Sequence, residues 1–241
     1  MKARYAVPLF LLLVVIAAIA LAPASLVDTT LRSATTGRLH LTDAAGTVWR
    51  GRGALTDASG TWQTPIAWRA SPLAVLRGGI DVELSPQGRI VANGGVELRD
   101  LRVALPAVAL GSALPAVPAI DLGGEVTLDA PLFRYDGRSG DGALALRWER
   151  ARAVVNGTLV DLGNVTARVT PQGDGLAGVL ANEGGVLRVA GNVALSNEKI
   201  VADAILTPAP GLPPAIAQAL AALGPADASG AVRVSWRGAA K

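Results

Sequence analysis

Past residue 28 the dominant period of the chain is two. In Gly142-Ala143-Leu144-Ala145-Leu146-Arg147-Trp148, residues Leu144, Leu146 and Trp148 fall on one side and Ala143, Ala145 and Arg147 on the other. The run 231–237 (AVRVSWR) repeats the scheme, with Val232, Val234 and Trp236 together. Similar runs stand at 80–84, 96–103, 124–129, 165–169, 186–190 and 200–206. Successive strand side chains point to opposite faces, so this pattern predicts half-buried antiparallel strands. The breaks at 85–89, 92–96, 134–142, 155–158, 170–175, 181–185 and 195–199 carry Gly, Asn, Asp or Pro. These residues tolerate positive φ or preset a turn. Strands recurring every 8–12 residues with such turns predict a mainly β chain, with curved antiparallel sheets of meandering strands.

Helical patterns are few. Ser71-Pro72-Leu73-Ala74-Val75-Leu76 reads as one short turn, with Ser71 as N-cap and Pro72 in the first helical position. Residues 213–223 (PPAIAQALAAL) predict a short C-terminal helix of about three turns, stopped by Gly224-Pro225. Its apolar positions Ile216, Leu220 and Leu223 predict that it packs on the sheet. The stretch 105–118 reads as an irregular connector. Weak internal similarity suggests two pseudo-repeated sheet halves, 40–104 and 120–237, within one domain over 28–241.

The N-terminus has a different pattern. Residues 5–27 carry no charge, and Lys2 and Arg4 precede them. Residues 6–24 would span about 28 Å as a helix, close to the hydrocarbon thickness of a bilayer. The positive-inside rule then predicts one N-terminal transmembrane helix within 1–27, a cytoplasmic tip, and a body on the far side of the inner membrane, in the periplasm. Ala22-Pro23-Ala24 offers the alternative of a cleavable signal peptide, but the apolar stretch exceeds a usual signal core.

Composition narrows the chemistry. The 241 residues include no Cys and one His, which excludes disulfides, thiolate metal sites and multi-His metal sites. The formal charge is +3, and without Lys2 and Arg4 the remaining 20 basic residues face 19 acidic ones. No basic stripe is present, so nucleic acid is not an expected partner. His40 lies in an alternating run without a Gly-x-Ser-x-Gly elbow anywhere, and reads as an ordinary strand residue. Calcium loops of the D-x-D-x-D type and phosphate-cradling glycine loops are absent. The carboxylates come one at a time. No catalytic, metal or cofactor site is expected.

One phrase recurs: GTVWRGRG at 46–53, IAWRA at 66–70, ALRWER at 145–150 and VSWRG at 234–238. Trp and Arg are both enriched at binding hot spots. Strand parity gives another reading, in which each Trp faces inward and fills a core short of aromatics, while the adjacent Arg faces out. The outward residues Arg50, Arg99, Arg147 and Arg237 are then the candidate contact surface. Trp49 is the weakest case, since a bulge at the nearby glycines would re-aim it.

The order of these phrases resembles the type II secretion system protein N family. The resemblance rests on an N-terminal apolar segment, GTVWRGRG, TPIAWRASPLAVLRG, SGDGALALRWERA, LGNV, GGVLRVAGNVAL and ALAALGPADASGAVRVSWRG, from about 1 to 238. It implies a single-pass inner-membrane protein of Gram-negative bacteria with a periplasmic body, serving as an accessory of the export machine. The implied partners are other secretion components, namely inner-membrane platform proteins and the secretin. The family is also similar to AsmA-like β proteins with an apolar inner face, which implies lipid binding or transfer as the alternative. No catalytic residue is carried over. The structural positions carried over are Gly46, Trp49 and Gly51, then Trp68, then Gly142 and Trp148, then Gly230 and Trp236.

Overall fold

The computed structural model of the chain describes residues 19–113, 121–155, 157–196 and 199–239. Most of the expected membrane segment, residues 6–18, lies outside the described residues. Among the described residues no helix is long and apolar enough to cross a membrane. The chain divides into two units, Met1–Pro86 and Gln87–Lys241.

In the first unit, helix α1 (Ser25–Ala34) precedes strands β1 (Leu39–Gly46), β2 (Arg50–Asp57) and β3 (Gln63–Ala70), helix α2 (Pro72–Leu76) and strand β4 (Ile80–Ser85). The strands pair antiparallel in chain order. Ala24, Leu41 and Trp68 form the buried centre, with Val27, Leu31, Ile66, Val82 and Leu84 packed around them. Helix α1 was not expected. Its sequence SLVDTTLRSA has no continuous apolar stripe, and its stability comes from docking Val27 and Leu31, one turn apart, onto the sheet. The Asp28–Arg32 pair at 2.8 Å supports the same turn. The end of the uncharged N-terminal stretch also belongs to this body. Ala24 is 1% exposed, and its N–H donates to the Gly46 carbonyl at 3.1 Å. Helix α2 starts after Ser71 as expected, but the Ser71 hydroxyl makes no capping bond.

Helix α1 also closes the outer edge of β1. The Leu39 N–H donates to Thr35 Oγ1 at 3.1 Å and the Leu41 N–H to Asp28 Oδ1 at 2.7 Å. Those backbone groups point away from β2, and side chains of the helix and of its C-cap Thr35 satisfy them. An edge strand left bare would template pairing with another chain.

The second unit holds β5 (Arg89–Ala92), β6 (Val96–Pro106), helix α3 (Val108–Ala113), β7 (Asp121–Tyr135), β8 (Gly140–Gly142), β9 (Leu144–Val155), β10 (Thr158–Gln172), β11 (Gly175–Glu183), β12 (Leu187–Ser196), β13 (Lys199–Pro208), helix α4 (Pro214–Leu223) and β14 (Val232–Ala239). These strands also pair antiparallel in chain order, except that β9 follows β7 directly and β8 is a short hairpin return on β7. The expected alternating runs fall on strands, but β8 falls inside the stretch 134–142 read as a break, and β6 runs through Pro106 into the expected connector. Helix α3 corrects the reading of 105–118 as an irregular connector over 108–113, while 114–120 lie outside the described residues.

Helix α4 packs on the apolar face as expected, burying Ile216 and Leu220. Leu220 joins Leu187 and Val232, with Leu162, Val189, Leu206, Leu212 and Val234 around them. Each fully buried side chain of this type contributes about 1.5–3 kcal/mol. Leu223 does not share in it: at 56% exposure it faces solvent, because the helix ends there and Gly224 turns the chain away.

Candidate functional site

Cross-strand register sorts the second unit into two faces. On one face lies the row Val126, Trp148, Val165, Asn182 across β7, β9, β10 and the end of β11. Beside it lies Leu128, Leu146, Ala167, Leu180, Gly191, Ala204, Val234, across to β14. A third row runs Leu144, Val169, Gly178, Val193, Ala202, Trp236. Burial falls steadily from row to row. Val126 is 0% exposed and Val165 5%, whereas Val193 is 43% and Trp236 49% exposed. One end of the apolar face is thus covered, in part by α4, and the other is not.

The opposite face is polar. There Arg102, Asp129, Ala145, Arg168 and Val179 stand in one row, and Thr127, Arg147, Thr166 and Ala181 in the next. Together with Glu149 they line an open depression of about 800 Å³. Arg102 grips Asp129 at 2.7 Å, while Arg147 and Arg168 have no carboxylate partner among the described residues. Neither Arg102 nor Arg168 was singled out in the sequence. Parity places an arginine on a face, but only register brings three of them together.

The four candidate contact arginines are all exposed, one on the first unit and three on separate strands of the second. Arg50 lies on β2 of the first unit, cross-strand from Arg69. Arg99 on β6 is engaged by Glu97, which Arg134 also holds at 3.1 Å. Arg147 lines the depression, and Arg237 lies on β14.

Three of the four tryptophans of the repeated phrase pair with backbone. Trp68 is buried and donates to the Val48 carbonyl at 3.1 Å; its ring covers Gly51, where a Cβ would stand 2.8 Å from Cε2. Trp148 is half-buried and donates to the Gly123 carbonyl at 2.9 Å. Trp49 is half-buried and donates to the Ile19 carbonyl at 2.8 Å. Trp236 lies over Gly238. It has the apolar-face parity, but the expectation that it fills a core fails, since nothing among the described residues covers that end. Gly46, Gly142 and Gly230 have φ of +98°, +85° and +80°, the left-handed region that favours glycine. Trp62, 6% exposed, was not singled out by the sequence, having no Arg beside it.

Titratable groups serve local structure. For Asp28, burial pushes the carboxyl pKa up, but the Leu41 N–H, Arg32 and the charge of His40 outweigh it, and the net direction is down. Asp57 is likewise pushed up by burial and brought down overall by Ser59 and Thr61. Asp136 and Asp227 are held low by the turns they cap, through Ser139 and Arg138 and through Ser229 and Ala231. Glu97 is held low by Arg134 and Arg99. His40 Nε2 lies 2.9 Å from the Gly37 carbonyl. Among the described residues no cluster of His, Asp and Glu could hold a metal ion.

The sequence model of the family described as type II secretion system (T2SS), protein N, matches residues 37–235. No curated protein and no solved structure matches the chain.

Proposed function

This chain belongs to the type II secretion system protein N family, and from that premise we propose that it acts as an accessory assembly component, working by protein contacts in the periplasm. Membership makes it a component of the secretion machine; the family match over 37–235 is the observation that carries this reading. In it, the apolar stretch read at 6–24 anchors the chain once in the inner membrane up to about Leu21, with Ala22 to Ala24 packed on the β body, which faces the platform proteins and the secretin. Retention of the anchor is supported by Ala24, because cleavage after the small-x-small segment would take a side chain only 1% exposed out of the core.

The test is photo-cross-linking in vivo from Arg50, Arg99, Arg147 and Arg237. Adducts to platform or secretin proteins, lost when those proteins are deleted, are the expected outcome. Adducts to none of them would overturn the assembly role.

A second reading, lipid binding on the AsmA-like pattern, is favoured by one observation: Val193 and Trp236 stand 43% and 49% exposed on the apolar face. Phospholipid retained by the purified chain and released by Trp236→Glu would support it. Lipid content unchanged by that substitution would remove it.

A further inference from the structure

The two outermost strands end differently. The outer edge of β1 is occupied by Thr35 and Asp28. The outer edge of β14 is covered only at its start among the described residues. Its first residue, Val232, is bridged to Ala226, and the Asp227 N–H donates to the Ala231 carbonyl at 2.9 Å. That carbonyl therefore points away from β13. By the two-residue alternation of an antiparallel strand, so do the backbone groups of Arg233, Ser235 and Arg237. From Val234 onward they meet no partner strand among the described residues.

The side chains along this edge are sorted. Arg233, Ser235 and Arg237 lie on the polar face, cross-strand from Ile205, Asp203 and Val201. Asp203 Oδ1 accepts the Ser235 hydroxyl at 2.6 Å, and neither arginine has a carboxylate partner among the described residues. Val234 and Trp236 lie on the apolar face, the latter 49% exposed. We propose that the β14 edge receives an extended protein segment in which acidic and apolar residues alternate. Its acids stand opposite Ser235, within diagonal reach of Arg233, and opposite Arg237, its apolar side chains extend the row ending at Trp236, and its backbone completes the ladder from Val234 onward.

A second copy of this chain is the poorer occupant. Antiparallel self-pairing centred on Ser235 sets Arg233 opposite Arg237 twice and runs into the Ala226 bridge at Val232, and self-pairing centred on Arg237 sets that arginine opposite its copy. Like charges directly opposite are destabilising. The two arginines thus resist self-association while leaving the edge open to an acidic strand. The inference rests on the assembly reading for its biological setting and on β14 alone for its chemistry.

The test uses the full chain in mild detergent and two fluorescent octapeptides, one alternating Glu and Val, the other Lys and Val. The Glu-Val peptide is expected to bind and the Lys-Val peptide about tenfold or more weakly. Arg233→Glu with Arg237→Glu is expected to reverse the preference. Ser235→Pro removes an outward N–H without touching the β13 ladder, and is expected to abolish binding, while Ser235→Ala retains it. Far-UV circular dichroism checks that each variant keeps its strands, and the charge reversal stands independently of the proline. Equal binding of both peptides, indifference to the charge reversal, or a dimer that forms through β14 in preference to peptide would each overturn the proposal. The assembly reading fails separately: loss of platform cross-links from Arg50, Arg99 and Arg147 with peptide binding intact sinks that reading and leaves the edge. Absent peptide binding with those cross-links retained sinks the edge alone.

Discussion

Among the described residues Asn182 is the buried polar side chain of the second unit. It lies at the end of the β11–β12 ladder, whose last pair is Ala181 with Ala190. Beyond that pair the Asn182 amide takes over. Its Nδ2 donates to the Leu162 carbonyl at 2.6 Å and the Leu187 carbonyl at 2.8 Å, and its Oδ1 accepts the Val189 N–H at 2.6 Å. The residue is 7% exposed, so water does not replace these bonds. Asn182→Leu keeps the volume close to the original, so little of its effect comes from a cavity. It orphans two carbonyls and one N–H in half-buried to buried surroundings. At about 1–3 kcal/mol per buried orphan, partly relieved where Leu162 and Val189 reach solvent, the expected cost is about 3 kcal/mol. The assay is urea unfolding of the full chain in mild detergent, followed by tryptophan fluorescence, with amide exchange at Val189 as the local readout. A cost below about 1 kcal/mol with the Val189 amide still protected would refute the argument that this side chain carries the ladder past Ala181.

Other expectations follow from the same geometry. The folded pKa values of Asp28 and Asp57 lie below their ordinary ones, so the stability they contribute is full above about pH 4 and is lost as pH falls through the folded values. Acid titration of unfolding in Asp28→Asn should show a shallower loss below pH 4 than the parent, and an unchanged slope would contradict this. Gly51→Ala and Gly238→Ala both push a Cβ into an indole, but Trp68 is buried and Trp236 is 49% exposed and free to swing away. The first should cost about 1–3 kcal/mol and the second under about 1 kcal/mol by chemical denaturation, and equal costs would show the rings to be equally confined. Leu220→Ala should cost about 2–5 kcal/mol, whereas Leu223→Ala, 56% exposed, should stay within about 0.5 kcal/mol on the same assay.

The strands were legible because two signals agreed. Alternation marked their faces, and Gly, Asn, Asp or Pro marked their ends, so β14 begins and ends within two residues of the run 231–237 that predicted it, while β9 begins with the run 142–148 and continues to Val155, where the next turn was read. Three features were not legible, each for its own reason. Helix α1 carries Val27, Thr29 and Thr30, poor helix formers, and its docking partners Leu41 and Trp68 lie on strands the sequence does not connect to it. The three-arginine depression depends on register, which pairs Arg102 with Asp129 and Ala145 with Arg168. Asn182 sat in a stretch read as turn chemistry, and its amide is in fact the continuation of a strand pair.

Trp236 shows where parity stops being informative. Trp148 and Trp236 occupy the same face by register, and both follow two alternating apolar residues. Parity fixes the side of the sheet; coverage depends on what lies over that side. Trp148 belongs to the row that includes the fully buried Val126, and Trp236 to the row that includes Val193 at 43% exposure. A buried tryptophan next to an outward arginine is a packing device. An uncovered tryptophan on a strand with two unpaired arginines, whose outer backbone groups meet no partner strand from Val234 onward among the described residues, presents apolar surface, charge and hydrogen-bonding groups together. The recurring Trp-Arg phrase therefore has two physical meanings in one chain, set by whether another element packs over the strand that carries it.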